Sequence, residues 1–300
     1  MRIFKFLLLL GVVVILAGVV KANVVEVSQP GYATTNSAYD RNPSIMYDGG
    51  DYWLFYTKGD DVSTGGVRGT GYDPDGDDYV VYYKKAATIE GLSAAGEIKL
   101  VLSETARPTG FDQRVVSAVK FGENIYAFVS SGFSASATDK SLYYYVYNGS
   151  SWSGPTELIG SSISQGGHVN VATDGSRIYI VWECTDGSSD CYTWDSATLS
   201  SKIDISSGNM PKITVMPDKI GALFVVNIED GTGDIEVFSA FSGPSPTFSA
   251  HSTAIPGGGF YDPCIFNDGT NLYVVSAPWV AADRQYLVQT KSEYATANWS

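Results

Sequence analysis

The sequence predicts an all-β protein, a single five-bladed β-propeller of four-stranded antiparallel blades closed into a ring by an N-terminal strand. Three observations predict it. The first is the stretch 40–57, DRNPSIMYDGGDYWLFYT, which reads as two short antiparallel strands around a tight turn. Pro43, Ile45 and Tyr47 alternate on one side, Asp48, Gly49 and Gly50 supply turn chemistry, and 52–57 is aromatic enough for an inner strand. The second is recurrence. The pattern returns at 115–131, 168–183, 210–227 and 262–277, and its turn residues Gly49, Gly122, Gly175, Pro217 and Gly269 are 73, 53, 42 and 52 positions apart. A period of roughly 40–50 residues with no helical content is the mark of an all-β array. The third is the absence of helical periodicity after residue 22, apart from a short turn near 86–92.

Each repeat then supplies further strands. Third and fourth strands are expected at 79–84 and 97–103, at 141–147 and 155–159, at 191–195 and 202–206, and at 235–241 and 248–255. The last repeat has a third strand at 285–291 and no room for a fourth. The unassigned strand 23–29, NVVEVSQ, is its natural donor, since a ring completed in this way leaves no open edge. Residues 1–22 read as a signal peptide, with basic Arg2 and Lys5, an apolar run 6–20 and small residues at Val20 and Ala22; residues 23–300 form the propeller. The protein is therefore expected to be secreted or held at the cell surface, with an uncleaved membrane anchor as the alternative.

Removing residues 1–22 takes away Arg2, Lys5 and Lys21 and no acid, leaving 16 basic against 32 acidic side chains, a net charge of −16. Such a surface repels nucleic acid and anionic membranes and suits neutral sugars, cations or simple solubility. Cys184 and Cys191 flank TDGSSD at the facing ends of two expected strands, which an oxidising compartment would join as a hairpin disulfide, while Cys264 reads as a buried thiol in mid-strand. Asn148 and Asn298 open N-glycosylation triplets.

Innermost propeller strands begin around a central channel, so the residues just before each first strand converge. Aligned on Pro43, Val116, Val169, Pro211 and Pro263, these bring together Asp40, Arg41, Asn42, Asp112, Arg114, His168, Tyr261 and Asp262. They make either a polar pocket or a plug of mutually paired charges. A second constellation lies in the insertion 58–78, where Asp73, Asp75, Asp77 and Asp78 alternate around a Pro and a Gly. They suit a hard, oxygen-liganded cation such as Ca²⁺, or form a solvated acidic loop.

The segments YDPCIFNDGTNLYVV and DRNPSIMYDGGDYWLFYT resemble the blade-opening segments of five-bladed glycoside hydrolases of the arabinanase, β-xylosidase and invertase kind. The resemblance implies a first-blade Asp before Pro as base or nucleophile, a second Asp that tunes it, and a later Glu as acid, because one carboxylate must attack or activate water while another protonates the leaving oxygen. Here Asn42 stands at the first-blade position with Asp40 two residues away, Asp262 precedes Pro263 in the last repeat, and Glu183 closes an inner strand as the acid candidate. Arg41-Asn42-Pro43 is also similar to the Arg-x-Pro motif of sialidases, whose arginines grip a carboxylate. The expected function is an exported carbohydrate-recognising protein on a glycosidase-like scaffold, active or degenerate. Its catalytic candidates are Asp262, Asp40 and Glu183; Arg41, Asn42, Asp112, Arg114, His168 and Tyr261 bind substrate. The rival reading is a non-catalytic surface or assembly propeller, in which that channel is plugged.

Overall fold

The computed structural model describes residues 40–59, 79–100, 113–131, 141–160, 165–184, 187–216, 222–229, 231–255, 260–267, 271–278 and 287–291. Their strands form separate antiparallel sheets, each a meander in chain order. The first sheet holds β1 (Asp40–Asp48), β2 (Asp51–Gly59), β3 (Tyr79–Ala86) and β4 (Ile98–Lys99). The second holds β5 (Gln113–Phe121), β6 (Asn124–Ser131), β7 (Leu142–Tyr147) and β8 (Trp152–Ile159). The third holds β9 (Gln165–Thr173), β10 (Ile178–Cys184), β11 (Ser188–Trp194) and β12 (Ile203–Ser207). The fourth holds β13 (Asn209–Met216), β14 (Ala222–Ile228), β15 (Ile235–Phe241) and β16 (Ser249–Ile255). A last sheet holds only β17 (Phe260–Asn267), β18 (Leu272–Pro278) and β19 (Leu287–Lys291). The helical turn expected near 86–92 is α1 (Gly91–Ala94).

The fold is an all-β propeller, but the expected count of five four-stranded blades needs correction. Four complete blades are present among the described residues, and the remaining sheet has three strands. The physical reason is the one visible in the sequence: β19 is the last described strand, and its expected neighbour at 23–29 lies outside the described residues. The segment 1–22 expected to be a signal peptide, the acidic insertion residues Asp73, Asp75, Asp77 and Asp78, and Asp112 also lie outside them. Among the described residues no helix is long and apolar enough to cross a membrane, and no group of acidic, His or Cys side chains could hold a metal ion.

The core sits between successive sheets. Trp53 and Phe55 of the first blade meet Ala127 and Tyr145 of the second. Phe128 of the second meets Trp182 and Trp194 of the third. Val181 and Cys191 of the third meet Leu223 and Val225 of the fourth, and Phe224 and Val226 of the fourth meet Ile265 and Val274 of the last sheet. This explains the unbroken apolar second strands: Ile178, Ile180 and Trp182 of β10 face one neighbour while Tyr179 and Val181 face the other. Gly49 and Gly50 adopt φ of 62° and 97°, the left-handed conformations that a two-residue hairpin turn requires.

A line of polar side chains joins neighbouring first strands. The Ser44 hydroxyl of β1 accepts from Ala118 N of β5 at 3.1 Å. The Ser117 hydroxyl of β5 accepts from Val171 N and Asn170 Nδ2 of β9 at 3.1 and 3.2 Å. Asn170 Oδ1 accepts from Ile213 N of β13 at 2.8 Å, and Asn267 Nδ2 of β17 donates to Thr214 Oγ1 and Val215 O at 2.7 and 3.0 Å. These bonds connect strands that no ladder connects, so they set the height of one blade against the next. Ser117→Ala should cost about 1–2 kcal/mol in denaturant unfolding, because it strands the Val171 N–H in a buried site. An unchanged midpoint would show that the line contributes no stability.

The expected disulfide is contradicted: Cys184 and Cys191 carry no S–S bond. Register is the reason. Cys191 lies opposite Val181, three residues from Cys184, which is about 10 Å along a strand and on the other face of the sheet. The Cys184 thiol instead meets the buried Asp190 carboxylate at 2.8 Å, and Lys202 approaches that same carboxylate oxygen at 3.3 Å. Cys264 is exposed rather than buried, since its neighbours Pro263 and Ile265 take the inward positions.

Candidate functional site at the mouth of the inner strands

Each first strand breaks its ladder near its beginning. The register shifts between Arg41 and Ser44 in β1, between Gln113 and Val115 in β5, opposite Glu183 in the β9–β10 pair, between Asn209 and Lys212 in β13, and between Tyr261 and Cys264 in β17. The interrupted segments are Asn42-Pro43, Arg114, 166–168, Met210-Pro211 and Asp262-Pro263, the positions that the sequence aligns. Three prolines fall here because a residue without an N–H is tolerated where the ladder is already broken. A bulge re-aims side chains and is common beside binding sites. The polar line described above places all five bulges at the same end of the sheets.

Of the candidates, Asp40, Arg41, Asn42, Arg114, Tyr261 and Asp262 have their backbones in these strand openings, and their side chains are not among those described. His168 and Glu183 are described in full, and the structure brings them together. Glu183 Oε2 lies 2.7 Å from His168 Nδ1 and accepts from the backbone N–H groups of His168 and Met210 at 3.4 and 3.2 Å. Glu183 thereby ties β10 to β9 in its own blade and to β13 in the next. Burial alone would push its carboxyl up; the His168 hydrogen bond and charge and the two backbone donors outweigh it and hold the group below the usual glutamate range. At neutral pH Glu183 is thus a carboxylate that accepts hydrogen bonds, not the protonated acid that the resemblance implies.

Two features outside the expected site serve this arrangement. A Cβ on Gly167 would lie 2.9 Å from Glu183 Cδ, so only glycine lets the carboxylate reach back over the strand. Met210 has φ of 54°, a costly conformation for a residue with a side chain, and its N–H points at Glu183. The fourth blade repeats the plan with an amide. Asn227 faces the β13 bulge, donates to Ser206 Oγ at 2.7 Å, and lies so near Gly208 that a Cβ there would come within 2.6 Å of its Nδ2. The sequence carries only a partial signal for both: a polar residue near the end of an apolar strand, and a glycine within or just before a first strand.

No family model matches the chain, and no curated protein matches its sequence. Solved structures do. An α-L-arabinofuranosidase from Podospora anserina, solved with cellotriose, superposes with a TM-score of 0.53 at 13% identity over 92% of both chains. The Hadza microbial sialidase Hz136 superposes with a TM-score of 0.58 at 11% identity, over 82% of this chain and 51% of its own. The six-bladed fucose-binding lectin of Aleuria aurantia gives 0.56 at 12% identity over 86% and 76%. At such identities the likeness is one of fold: the chain has the β-propeller architecture of glycoside hydrolases, as its blade-opening segments suggest.

Proposed function

We propose that this chain is an exported carbohydrate-recognising protein whose ligand sits at the mouth of the inner strands, on a scaffold of glycosidase type. The observation that carries the reading is the coincidence of five ladder breaks at one end of the sheets with the polar residues Asn42, Arg114, His168 and Asp262. Propellers of this architecture hold cellotriose, xylotriose, β-1,3-galactotriose and fucose, which supports a neutral glycan as the partner. The net negative charge agrees with it and disfavours nucleic acid. In this reading the ring has five blades, with the strand 23–29 completing the last sheet, and Asp73, Asp75, Asp77 and Asp78 hold Ca²⁺.

Asp262 is the carboxylate that the reading makes essential, because it keeps the Asp-Pro pairing at a bulge and Arg41 and Arg114 begin neighbouring inner strands. With Asp40 as its partner it would serve hydrolysis; without a protonated partner it would accept sugar hydroxyls. The test is a panel of cellotriose, xylotriose, β-1,3-galactotriose and fucose, followed by calorimetry and by reducing-end release. Asp262→Asn should weaken binding by about tenfold or more, the loss of a charge-assisted hydrogen bond, with the fold intact. Unaltered binding and turnover would remove Asp262 from the site, and an empty panel would favour the assembly propeller.

A further inference from the structure

One residue of the mouth holds a conformation that packing between blades does not require. Met210 lies in the β13 bulge with φ of 54°, in the left-handed region that is costly for a residue with a side chain. Glycine adopts that region without strain, yet a methionine occupies the position. Its backbone is held from outside its own strand: the Met210 N–H donates to Glu183 Oε2 of the preceding blade at 3.2 Å. Pro211 follows it, buried. The Met210 side chain is partly exposed and belongs to none of the apolar clusters among the described residues. Met46 and Met216, by contrast, are 3% and 1% exposed and sit inside such clusters. Backbone strain persists where the surroundings over-determine it, and it gathers at binding sites.

We propose that Met210 is a specificity-determining residue of the binding site, whose thioether side chain lies against the C–H face of a bound sugar ring. The proposal rests on the reading of the mouth as a glycan site. A sugar carries hydroxyls around its rim and aliphatic C–H groups on its faces, so a site that orients it needs polar groups and an apolar surface together. The bulges of β1, β5 and β17 carry the polar residues Asn42, Arg114 and Asp262, and the bulge of β13 adds the apolar side chain of Met210. An unbranched, polarizable thioether suits a surface as uneven as a sugar face. Glu183 acts through the backbone: it holds the bulge before a ligand arrives, which leaves less ordering to binding.

The chain has four methionines, Met1, Met46, Met210 and Met216, so NMR on ¹³C-methyl-methionine protein assigns each by substitution. Addition of cellotriose, xylotriose, β-1,3-galactotriose or fucose, whichever the parent binds, should shift the Met210 methyl and give it cross-relaxation with sugar protons. The buried Met46 and Met216 methyls should stay in place. Met210→Gly keeps the N–H that Glu183 accepts and relieves the left-handed strain. It should melt no lower than the parent yet bind about fivefold or more weakly, the loss of one apolar contact. Met210→Leu keeps an apolar side chain of similar volume and should retain most of the affinity. A Met210 methyl that ignores a sugar the parent binds, or equal affinity in Met210→Gly, would overturn the proposal while leaving the glycan site standing. A Met210→Gly protein that melts well below the parent would also overturn it, because the side chain would then serve the packing of the fold. A parent that binds no sugar of the panel would overturn the glycan reading, and this role of Met210 with it.

Discussion

Trp194→Ala is expected to be among the most damaging single substitutions, lowering unfolding free energy by about 3–5 kcal/mol. Trp194 ends β11 and is 4% exposed. Its ring stands edge-on to Tyr126 at 5.3 Å and to Phe128 at 5.8 Å, and lies 4.8 Å from Tyr144. All three partners belong to the second blade and Trp194 to the third, so the truncation opens a cavity between blades. Aromatic pairs of this geometry add to the plain loss of buried area. Trp194→Phe should recover much of the loss, because it keeps a ring in contact with the same three partners. Denaturant unfolding checks both: a Trp194→Ala midpoint near that of the parent would mean that this interface stabilises the ring far less than its packing implies.

Glu183→Ala should cost about 2–3 kcal/mol at neutral pH, less than for a pair sealed fully from water. It leaves the His168 ring and the N–H groups of His168 and Met210 without their acceptor, and leaves Met210 in a strained conformation with nothing to hold it. The effect has a defined pH dependence. The carboxyl of Glu183 is held below the usual glutamate range in the folded chain, so its stabilisation is fully present above that range and is lost as pH falls through the folded value. Parent and variant should therefore differ most at neutral pH and converge in acid. Thermal unfolding across that span measures it, and a gap that stays constant or widens on acidification would contradict the assignment of an ionised Glu183.

How far the sequence could be read follows from the range of the forces involved. The strands were legible because both faces of an inner strand are buried, which writes an unbroken apolar run such as Ile178 to Trp182. The bulges were legible through Pro43, Pro211 and Pro263, since proline marks a place where no ladder bond is made. Of the expected fourth strand 97–103 of the first blade, Ile98–Lys99 pairs with β3, and 101–103 lie outside the described residues. The Cys184–Cys191 pairing failed because register depends on the whole ladder, and proximity in sequence says nothing about which face each thiol takes. The role of Glu183 was hidden for a related reason. Its partner Met210 lies 27 residues away, on another blade, and contributes a backbone N–H that any residue would carry. Only the glycines Gly167 and Gly208 hint at the close approach, and a glycine reveals room without saying what fills it.

The account places the ligand where five first strands begin, and an amide-resolved NMR titration with the best-binding oligosaccharide of the panel tests that placement. The largest shifts should fall at Asn42, Arg114, His168, Met210 and Asp262, one from each inner-strand bulge, while the far turn at Gly49 and Gly50 and the outer strands β8, β12 and β16 stay unmoved. Shifts confined to that turn or to the outer strands would contradict a site at the mouth.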